Sequence, residues 1–206
     1  LIGVVCQIEP ETEYPGYKDL YKIGVIAEIV KVLELPESNT NVILQGKQVF
    51  YLNHIVQEEP YLKGDVSFID QIEPQKKDKE YDALTSSISD LTIDMFQKMG
   101  ENGRELTFAI KNIKDSSYLV NFLACNTPIE PATKQELLEE TSIKKRAYKL
   151  YSILIKEAQL LELKASIQSK TREDLSQQQR EHFLQQQMRT IQEELGITDF
   201  NDIDKL

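Results

Sequence analysis

Hydrophobic side chains along the first third of the chain are spaced as in β-strands. Apolar runs rich in valine and isoleucine occupy residues 2–8, 23–35, 42–51 and 66–72. Turn-forming residues separate these runs, notably at 14–16 and 36–39. Gly46 lies inside the third run, which indicates a bulge or a sharp bend. Hairpin-linked strands of this kind predict an antiparallel sheet or partial barrel over residues 1–73.

The period changes to a helical one after the charged stretch that begins at Pro74. A single apolar stripe then recurs every three or four residues, at Leu84, Ile88, Leu91, Met95 and Met99. Gly100 and Gly103 are expected to end this helix. Shorter helices are predicted at 106–113, 118–124 and 134–139, the second of them capped by Asp115. Residues 74–141 therefore read as a helical lobe.

No glycine or proline occurs from Ala132 to Leu195, which predicts one long helix over residues 142–196 with Ser142 as its N-cap. Its first part carries a bundle-packing stripe: Ala147, Leu150, Leu154, Ala158, Leu161 and Ala165. The stripe fades between Gln168 and His182. A continuous helix would be about 80 Å long and project beyond its bundle. Residues 197–206 read as an acidic tail.

Apolar residues return near the end of this helix with the spacing of a coiled coil. We interpret this stretch as an interaction seam, formed by Phe183, Leu184, Gln187, Met188, Ile191 and Leu195. The fold class predicted from the whole pattern is α+β. An N-terminal antiparallel β lobe, a partial barrel, is followed by a helical bundle and one very long C-terminal helix.

A second group of soft side chains occurs in the first helix, at Met95, Phe96 and Met99. Methionine adapts to varied apolar partners, so this cluster is a possible substrate-contact patch. Packing in the core of the helical lobe is the alternative, and periodicity alone favours it.

Charge and composition argue against some classes of function. The net charge is −10, and residues 1–80 contain 14 acidic against 8 basic side chains. A front half this acidic argues against nucleic-acid binding, which depends on Lys and Arg at phosphates. No apolar run reaches the length of a membrane span. Cys6 and Cys125 lie in apolar contexts and are expected to be buried free thiols in a reducing compartment.

Catalytic and cofactor motifs are missing from the sequence. Gly46-Lys47 lacks the other residues of a phosphate-binding loop, and neither GxSxG nor HExxH occurs. The two histidines, His54 and His182, lie far apart and offer no metal-ligand spacing with a cysteine. Paired carboxylates such as Glu58-Glu59 are adjacent and point apart, as solvated charges do. The chain is therefore expected to be neither an enzyme nor a cofactor-binding protein by itself.

Several segments resemble ATP-dependent Lon proteases. The last helix contains Gln179-Arg180-Glu181, followed by Phe183, Leu184, Gln187, Met188, Ile191, Gln192, Glu194, Leu195 and Gly196, in the order of a family segment that precedes the ATPase module. Further matches are Tyr14-Pro15-Gly16, Asp19-Leu20-Tyr21, the 23–29 strand, Leu35-Pro36 and Gln135-Glu-Leu-Leu-Glu139. Two positions depart from the family pattern. The family usually has threonine where this chain has Val25, and it usually has an arginine soon after the equivalent of Gly46, where this chain has Val49.

The resemblance implies a cytoplasmic, ATP- and Mg²⁺-dependent serine protease, homohexameric, with a Ser-Lys dyad that this chain does not contain. Its substrates would be misfolded and regulatory proteins, and this region would recognise them and support assembly. The family's β lobe contains further strands before Leu1, so an incomplete sheet with an open edge is expected. Two alternatives stay open: a stand-alone adaptor or scaffold that self-associates through its long helix, and a hidden activity in the β lobe.

Overall fold

The computed structural model describes residues 1–34, 40–98 and 101–194. Four strands come first: β1 (Ile2–Val4), β2 (Ile23–Glu34), β3 (Thr40–Gln57) and β4 (Lys63–Ile69). Five helices follow: α1 (Lys79–Gln97), α2 (Glu101–Asn112), α3 (Ser116–Asn126), α4 (Pro131–Glu139) and α5 (Ile143–Glu194). The predicted α+β class, with an antiparallel sheet, a group of helices and a long final helix, is confirmed. The predicted 36–39 turn and 197–206 tail lie outside the described residues.

The four strands form one antiparallel sheet in the order β1-β2-β3-β4. β2 and β3 are the longest pair, and β1 and β4 each cover only part of them. The pairing shifts where Ile26 faces Gln48 but Ala27 faces Gly46, so Lys47 is the extra residue of a bulge. This confirms the irregularity that Gly46 predicted, because a strand that loses register must bend locally.

The core of the sheet centres on Phe50, which is buried beside Leu20 and Leu52. Its cross-strand neighbour is Gly24. A Cβ atom at Gly24 would stand 2.5 Å from the Val4 carbonyl oxygen and 2.8 Å from Cζ of Phe50. Only glycine therefore fits between β1 and the aromatic ring. Gly24 belongs to the 23–29 strand, which the sequence analysis matched to the family, and this packing explains why glycine stands there.

The helices bury one apolar face each, as their periodicity predicted. Ile88, Met95 and Phe96 of α1, and Val120 and Leu123 of α3, are almost inaccessible. Asp115 caps α3 by accepting the Tyr118 N–H at 2.9 Å, as predicted. The buried Thr92 hydroxyl donates to the Ile88 carbonyl at 2.7 Å, so this polar group inside the stripe is satisfied.

The prediction that Gly103 helps to end α1 is wrong. Gly103 lies in the first turn of α2, and Gly100 lies outside the described residues. A Cβ atom at Gly103 would stand 1.8 Å from the Phe96 carbonyl oxygen. The residue is thus explained by the close approach of two backbones and not by a left-handed helix end.

The chain divides into two units, Leu1–Lys156 and Glu157–Leu206, and α5 extends through both. In the first unit, which contains the β and the helical lobe, the α5 residues Ile143, Ala147, Leu150 and Leu154 are completely buried. Ile72 lies between β4 and α1, and its backbone makes two hydrogen bonds to the residues around the start of α5. Its carbonyl accepts the Ile143 N–H at 3.1 Å, and its own N–H donates to the Thr141 carbonyl at 2.9 Å.

The described part of the second unit is helical throughout. The side chains whose burial is described there are exposed, apart from three partly buried ones at its start, Glu157, Ala158 and Leu161. The predicted bundle stripe is therefore buried only as far as Leu154. Ala158 and Leu161 are partly buried, and Ala165 is exposed.

Candidate interaction surfaces

The two described residues of the predicted substrate-contact patch are not on the surface. Met95 and Phe96 are 2% and 1% exposed, and Met99 lies outside the described residues. Both side chains occupy the buried stripe of α1, so an incoming polypeptide cannot reach them in this structure. The alternative that the sequence allowed, core packing, describes these two residues.

The predicted interaction seam is exposed where the structure describes it. Phe183, Leu184, Met188 and Ile191 are each more than half exposed, and Gln187 is exposed too. Leu195 lies outside the described residues. Four large apolar side chains left in water on one helix indicate a surface that binds something, since scattered single ones would not recur at this spacing. That the seam associates subunits stays a prediction.

A second apolar surface lies on the sheet, and sequence reasoning did not single it out. Beyond the reach of β1 and β4, residues 28–34 of β2 and 40–46 of β3 pair only with each other among the described strands. We name this segment the apolar ribbon. Its exposed large apolar side chains are Ile29, Val30, Val32, Leu33, Val42, Ile43 and Leu44. The sequence signal was available: these strands are apolar at consecutive positions and do not alternate.

A polar cluster joins the beginnings of α1 and α5. The Lys144 ammonium donates to Asp78 Oδ2 at 2.7 Å and to Glu80 Oε2 at 2.6 Å, and the Tyr148 hydroxyl also bonds Glu80. Asp78 is the N-cap of α1 and accepts the Tyr81 N–H at 3.1 Å. One carboxylate thus caps a helix and pairs with a lysine from another element.

This cluster predicts acid sensitivity. The Lys144 hydrogen bond, and then the Tyr81 N–H, lower the pKa of Asp78. A folded-state pKa below the unfolded value of about 3.9 stabilises the fold above that pH. The stabilisation is lost as the pH falls through the lower folded-state pKa. Asp78→Asn retains a good cap but no charge, so urea unfolding should show wild type more stable above pH 4 and the two converging in acid. A pH-independent difference would contradict this assignment.

Arg146 is a second polar centre that the sequence analysis missed. Its side chain is buried, and its guanidinium donates to Asn121 Oδ1 at 2.6 Å and to the Glu140 and Leu138 carbonyls at 2.6 and 3.3 Å. With its amide oxygen facing the guanidinium, Gln71 accepts two further bonds. Burial lowers the pKa of Arg146, and Glu140 opposes that effect. The signal in the sequence is an arginine one turn from Leu150, on the buried face.

Cys6 and Cys125 are free thiols, as predicted, but the prediction that they are buried is wrong, because both are exposed. Cys6 lies beyond the end of β1, and Cys125 lies two residues from the buried Leu123 in α3, so the two side chains point to different sides of that helix. The described residues contain no group of three or more His, Cys, Asp and Glu side chains arranged to hold a metal ion. Within the same residues, no helix has both the length and the apolar character needed to cross a membrane.

The fold and these surfaces define a class of protein: an α+β unit that exposes apolar strands and ends in one long helix, whose side chains are exposed only in its later part. Comparison with known families identifies it further. Residues 1–156 match the family model described as the ATP-dependent protease La (LON) substrate-binding domain. The chain belongs to this family.

Individual relatives point to the same family. The chain is 55% identical over 196 residues to a Lon protease of Parabacteroides distasonis. The aligned region covers 95% of this chain and 24% of the relative. It is 47% identical over 204 residues to a Lon protease of Porphyromonas gingivalis, and the aligned region covers 98% of this chain and 24% of that relative. The chain thus spans about a quarter of the length of the curated relatives it matches.

One solved structure supports the fold. The N-terminal domain of a Mycobacterium avium complex Lon protease matches with a TM-score of 0.55 at 18% identity. The match covers 74% of this chain and 89% of that one.

Proposed function

We propose that this chain is the non-catalytic substrate-recognition and assembly region of an ATP-dependent serine protease that degrades misfolded and regulatory proteins. One observation carries the recognition part: the compact unit Leu1–Lys156 coincides with the region that matches the substrate-binding family model, 1–156. A self-contained unit with its own cores can act as a separate binding module. In this proposal ATP, Mg²⁺ and the Ser-Lys dyad belong to other parts of a cytoplasmic homohexameric enzyme.

The apolar ribbon is the surface we assign to substrate. Unfolded proteins differ from folded ones by exposing apolar side chains together with unpaired backbone groups. The ribbon offers apolar side chains from both strands, and its outer backbone edges lack a partner among the described strands. An extended segment can add to such an edge through main-chain hydrogen bonds while its side chains contact the exposed residues. Recognition of this kind requires the substrate to be unfolded and depends little on the amino-acid sequence of the substrate.

Binding of an unfolded protein to the chain tests the proposal. The probe is a fluorescent protein kept unfolded by reduction and cysteine alkylation, and anisotropy reports binding. We expect the unfolded probe to bind and its native, unmodified form not to bind. Val32 and Val42 face each other across the ribbon, and both are exposed. Changing both to Ser should weaken binding about tenfold, because two apolar contacts are lost.

Val56→Ser is the matched control, since Val56 is also an exposed valine of β3 but lies outside the ribbon. It should bind like wild type. Binding that survives the double substitution would move the site elsewhere on the unit. No binding to any unfolded probe, together with equal degradation by the full-length protease with and without residues 1–195, would overturn the recognition role.

The stand-alone adaptor remains a second candidate, favoured by the exposed seam on α5. In that case the long helix only joins copies of the chain. The coding sequence after Leu206 separates the two: a Walker A motif within about 150 residues supports the protease, since phosphate binding needs that loop. A stop codon supports the adaptor.

A further inference from the structure

The two long edges of the apolar ribbon differ in how well they are protected against a further strand. Natural sheets protect an exposed edge with charged side chains, bulges or proline, because its unpaired backbone groups otherwise bind other strands. The β2 edge has two of these features within the ribbon. Glu28 and Lys31 are exposed charged residues, and Val30 is the extra residue of a bulge, since Ile29 and Lys31 face consecutive residues of β3. A further strand therefore pairs poorly with β2.

The β3 edge of the ribbon, residues 40–46, has none of these features. Every one of these residues has its own partner in β2, so this part of β3 is regular. None of them is charged, and none is proline. The nearest charge on β3 is that of Lys47, whose ammonium lies 3.0 Å from Glu28 Oε2 and is thus paired with β2. Since β4 begins to pair with β3 only at Val49, this edge lacks a partner among the described strands.

Both faces of the sheet are apolar along this edge. Val42 and Leu44 lie on one face, where their partners in β2 are Val32 and Ile29. Ile43 lies on the opposite face, because successive side chains of a strand alternate. These five side chains are between 40% and 51% exposed. A strand added beside β3 would therefore meet apolar side chains on both of its own faces.

This geometry determines which order of residues the added segment should have. A half-buried strand alternates apolar and polar residues, so one of its faces would lay polar side chains against Ile43 or against Val42 and Leu44. A strand from the interior of a protein is apolar at consecutive positions. It would place apolar side chains on both faces of the edge, and it is accessible only when its own protein is unfolded. The edge therefore favours an order of residues and not only a composition.

A second copy of this chain is a poorer occupant of the edge. A stable dimer uses about 20–30 residues a side, whereas this edge is one short strand. Contacts of this size are weak and transient. They suit the recognition of many different unfolded segments better than a permanent pair.

We propose that the β3 edge at residues 40–46 binds extended segments by strand addition and selects those with an unbroken run of apolar residues. The proposal rests on the recognition part of the proposed function and deepens it, because it names the edge that acts and the order of residues that it prefers. Main-chain hydrogen bonds hold the segment whatever its sequence, and the apolar side chains on both faces supply the preference.

Two peptides of equal composition test the preference. The first has five valine, isoleucine and leucine residues in a row, flanked by serine, threonine and lysine. The second has the same residues with apolar and polar ones alternating. We expect the first to bind the wild-type chain about tenfold more tightly in fluorescence anisotropy, because the second loses the apolar contacts on one face. Equal affinities would remove the preference.

Backbone methylation of the first peptide tests strand addition. An added strand uses the N–H groups of alternate residues only, and with both faces apolar the peptide can present either set to β3. Methylating one set should therefore leave the affinity within about threefold of the unmodified peptide, and methylating both sets should abolish binding. Unchanged binding of the fully methylated peptide would show apolar contact without strand addition, which contradicts the proposal.

A lysine on either strand of the ribbon identifies the edge. Val42 and Val32 are partners across the ribbon with similar exposure, 44% and 51%. Val42→Lys places a charge on the β3 edge and should weaken binding of the first peptide about tenfold or more. Val32→Lys is the matched control and should weaken it less than about threefold. Circular dichroism verifies that both variants fold, and equal weakening by the two would remove the assignment to β3.

The competing occupant and a failure of the proposed function give different results. A wild-type chain that binds no peptide, and whose dimers dissociate on Val42→Lys in sedimentation equilibrium, would assign the edge to a second copy and overturn the proposal. If the unfolded protein binds but Val42→Lys and Val32→Lys weaken it equally, this inference fails alone. If neither the unfolded protein nor any peptide binds, this inference fails, and the degradation assay decides the recognition role.

Discussion

Phe50→Ala is expected to lower the free energy of unfolding by about 3–5 kcal/mol, the range for emptying a buried aromatic site. Phe50 is 1% exposed, and its ring fills the space that Gly24 leaves open in the neighbouring strand. Gly3 of β1 approaches the same ring. Strand backbones surround the cavity, and they cannot collapse into it without breaking their hydrogen bonds. Urea unfolding followed by circular dichroism measures the change.

Phe68→Ala is the matched control for Phe50→Ala. Phe68 faces Phe50 across the β3–β4 pair, but it is 60% exposed. The same deletion should cost less than about 1 kcal/mol there, because little apolar surface was removed from water. Equal losses for both variants would show that the core of the sheet is not where the structure places it.

Arg146→Met is expected to lower the free energy of unfolding by about 1–3 kcal/mol, because it leaves several partly buried acceptors without this donor. Methionine retains much of the apolar stem, so the loss reports the guanidinium rather than a cavity. The acceptors belong to α3 (Asn121), to α4 and its C-cap (Leu138 and Glu140) and to the segment before α1 (Gln71). Removing Arg146 therefore loosens several elements at once. The midpoint of urea unfolding reports the loss.

Two variants control the Arg146 prediction. Arg104→Met changes an exposed arginine of α2 and should stay within about 0.5 kcal/mol of wild type. Arg146→Lys retains the charge but not the planar fork, so it should fall between wild type and Arg146→Met. If Arg146→Met unfolds at the same urea concentration as wild type, the buried bonds contribute nothing net to stability.

Local patterns determined most of the secondary structure. β2 begins at Ile23, as predicted, and the predictions of the Asp115 cap and of the irregularity at Gly46 were correct. These features follow from rules that act within a few residues, namely the enrichment of β-branched residues in strands, the disturbance of a strand by glycine, and helix capping. The family was also recognisable from ordered motifs alone, which the match over residues 1–156 confirms.

The sequence was weakest where exposure depends on distant residues. It assigned the thiols of Cys6 and Cys125 to the interior, and both are exposed. For Met95 and Phe96 it left a surface role open beside the favoured core packing, and both are buried. An apolar residue is buried only if another element covers it, and a single strand or helix does not specify which of its faces is covered.

By itself, the sequence determined the types of the strands and helices, a continuous helix over the described residues of α5, and the family. All of these depend on the order of neighbouring residues. Only the tertiary structure decided that Arg146 gathers acceptors from separate elements and that Lys144 joins Asp78 across 66 positions. It also decided that the apolar ribbon stays uncovered among the described residues. The physical reason is that burial and hydrogen bonding between distant segments depend on how the elements pack, which no local pattern encodes.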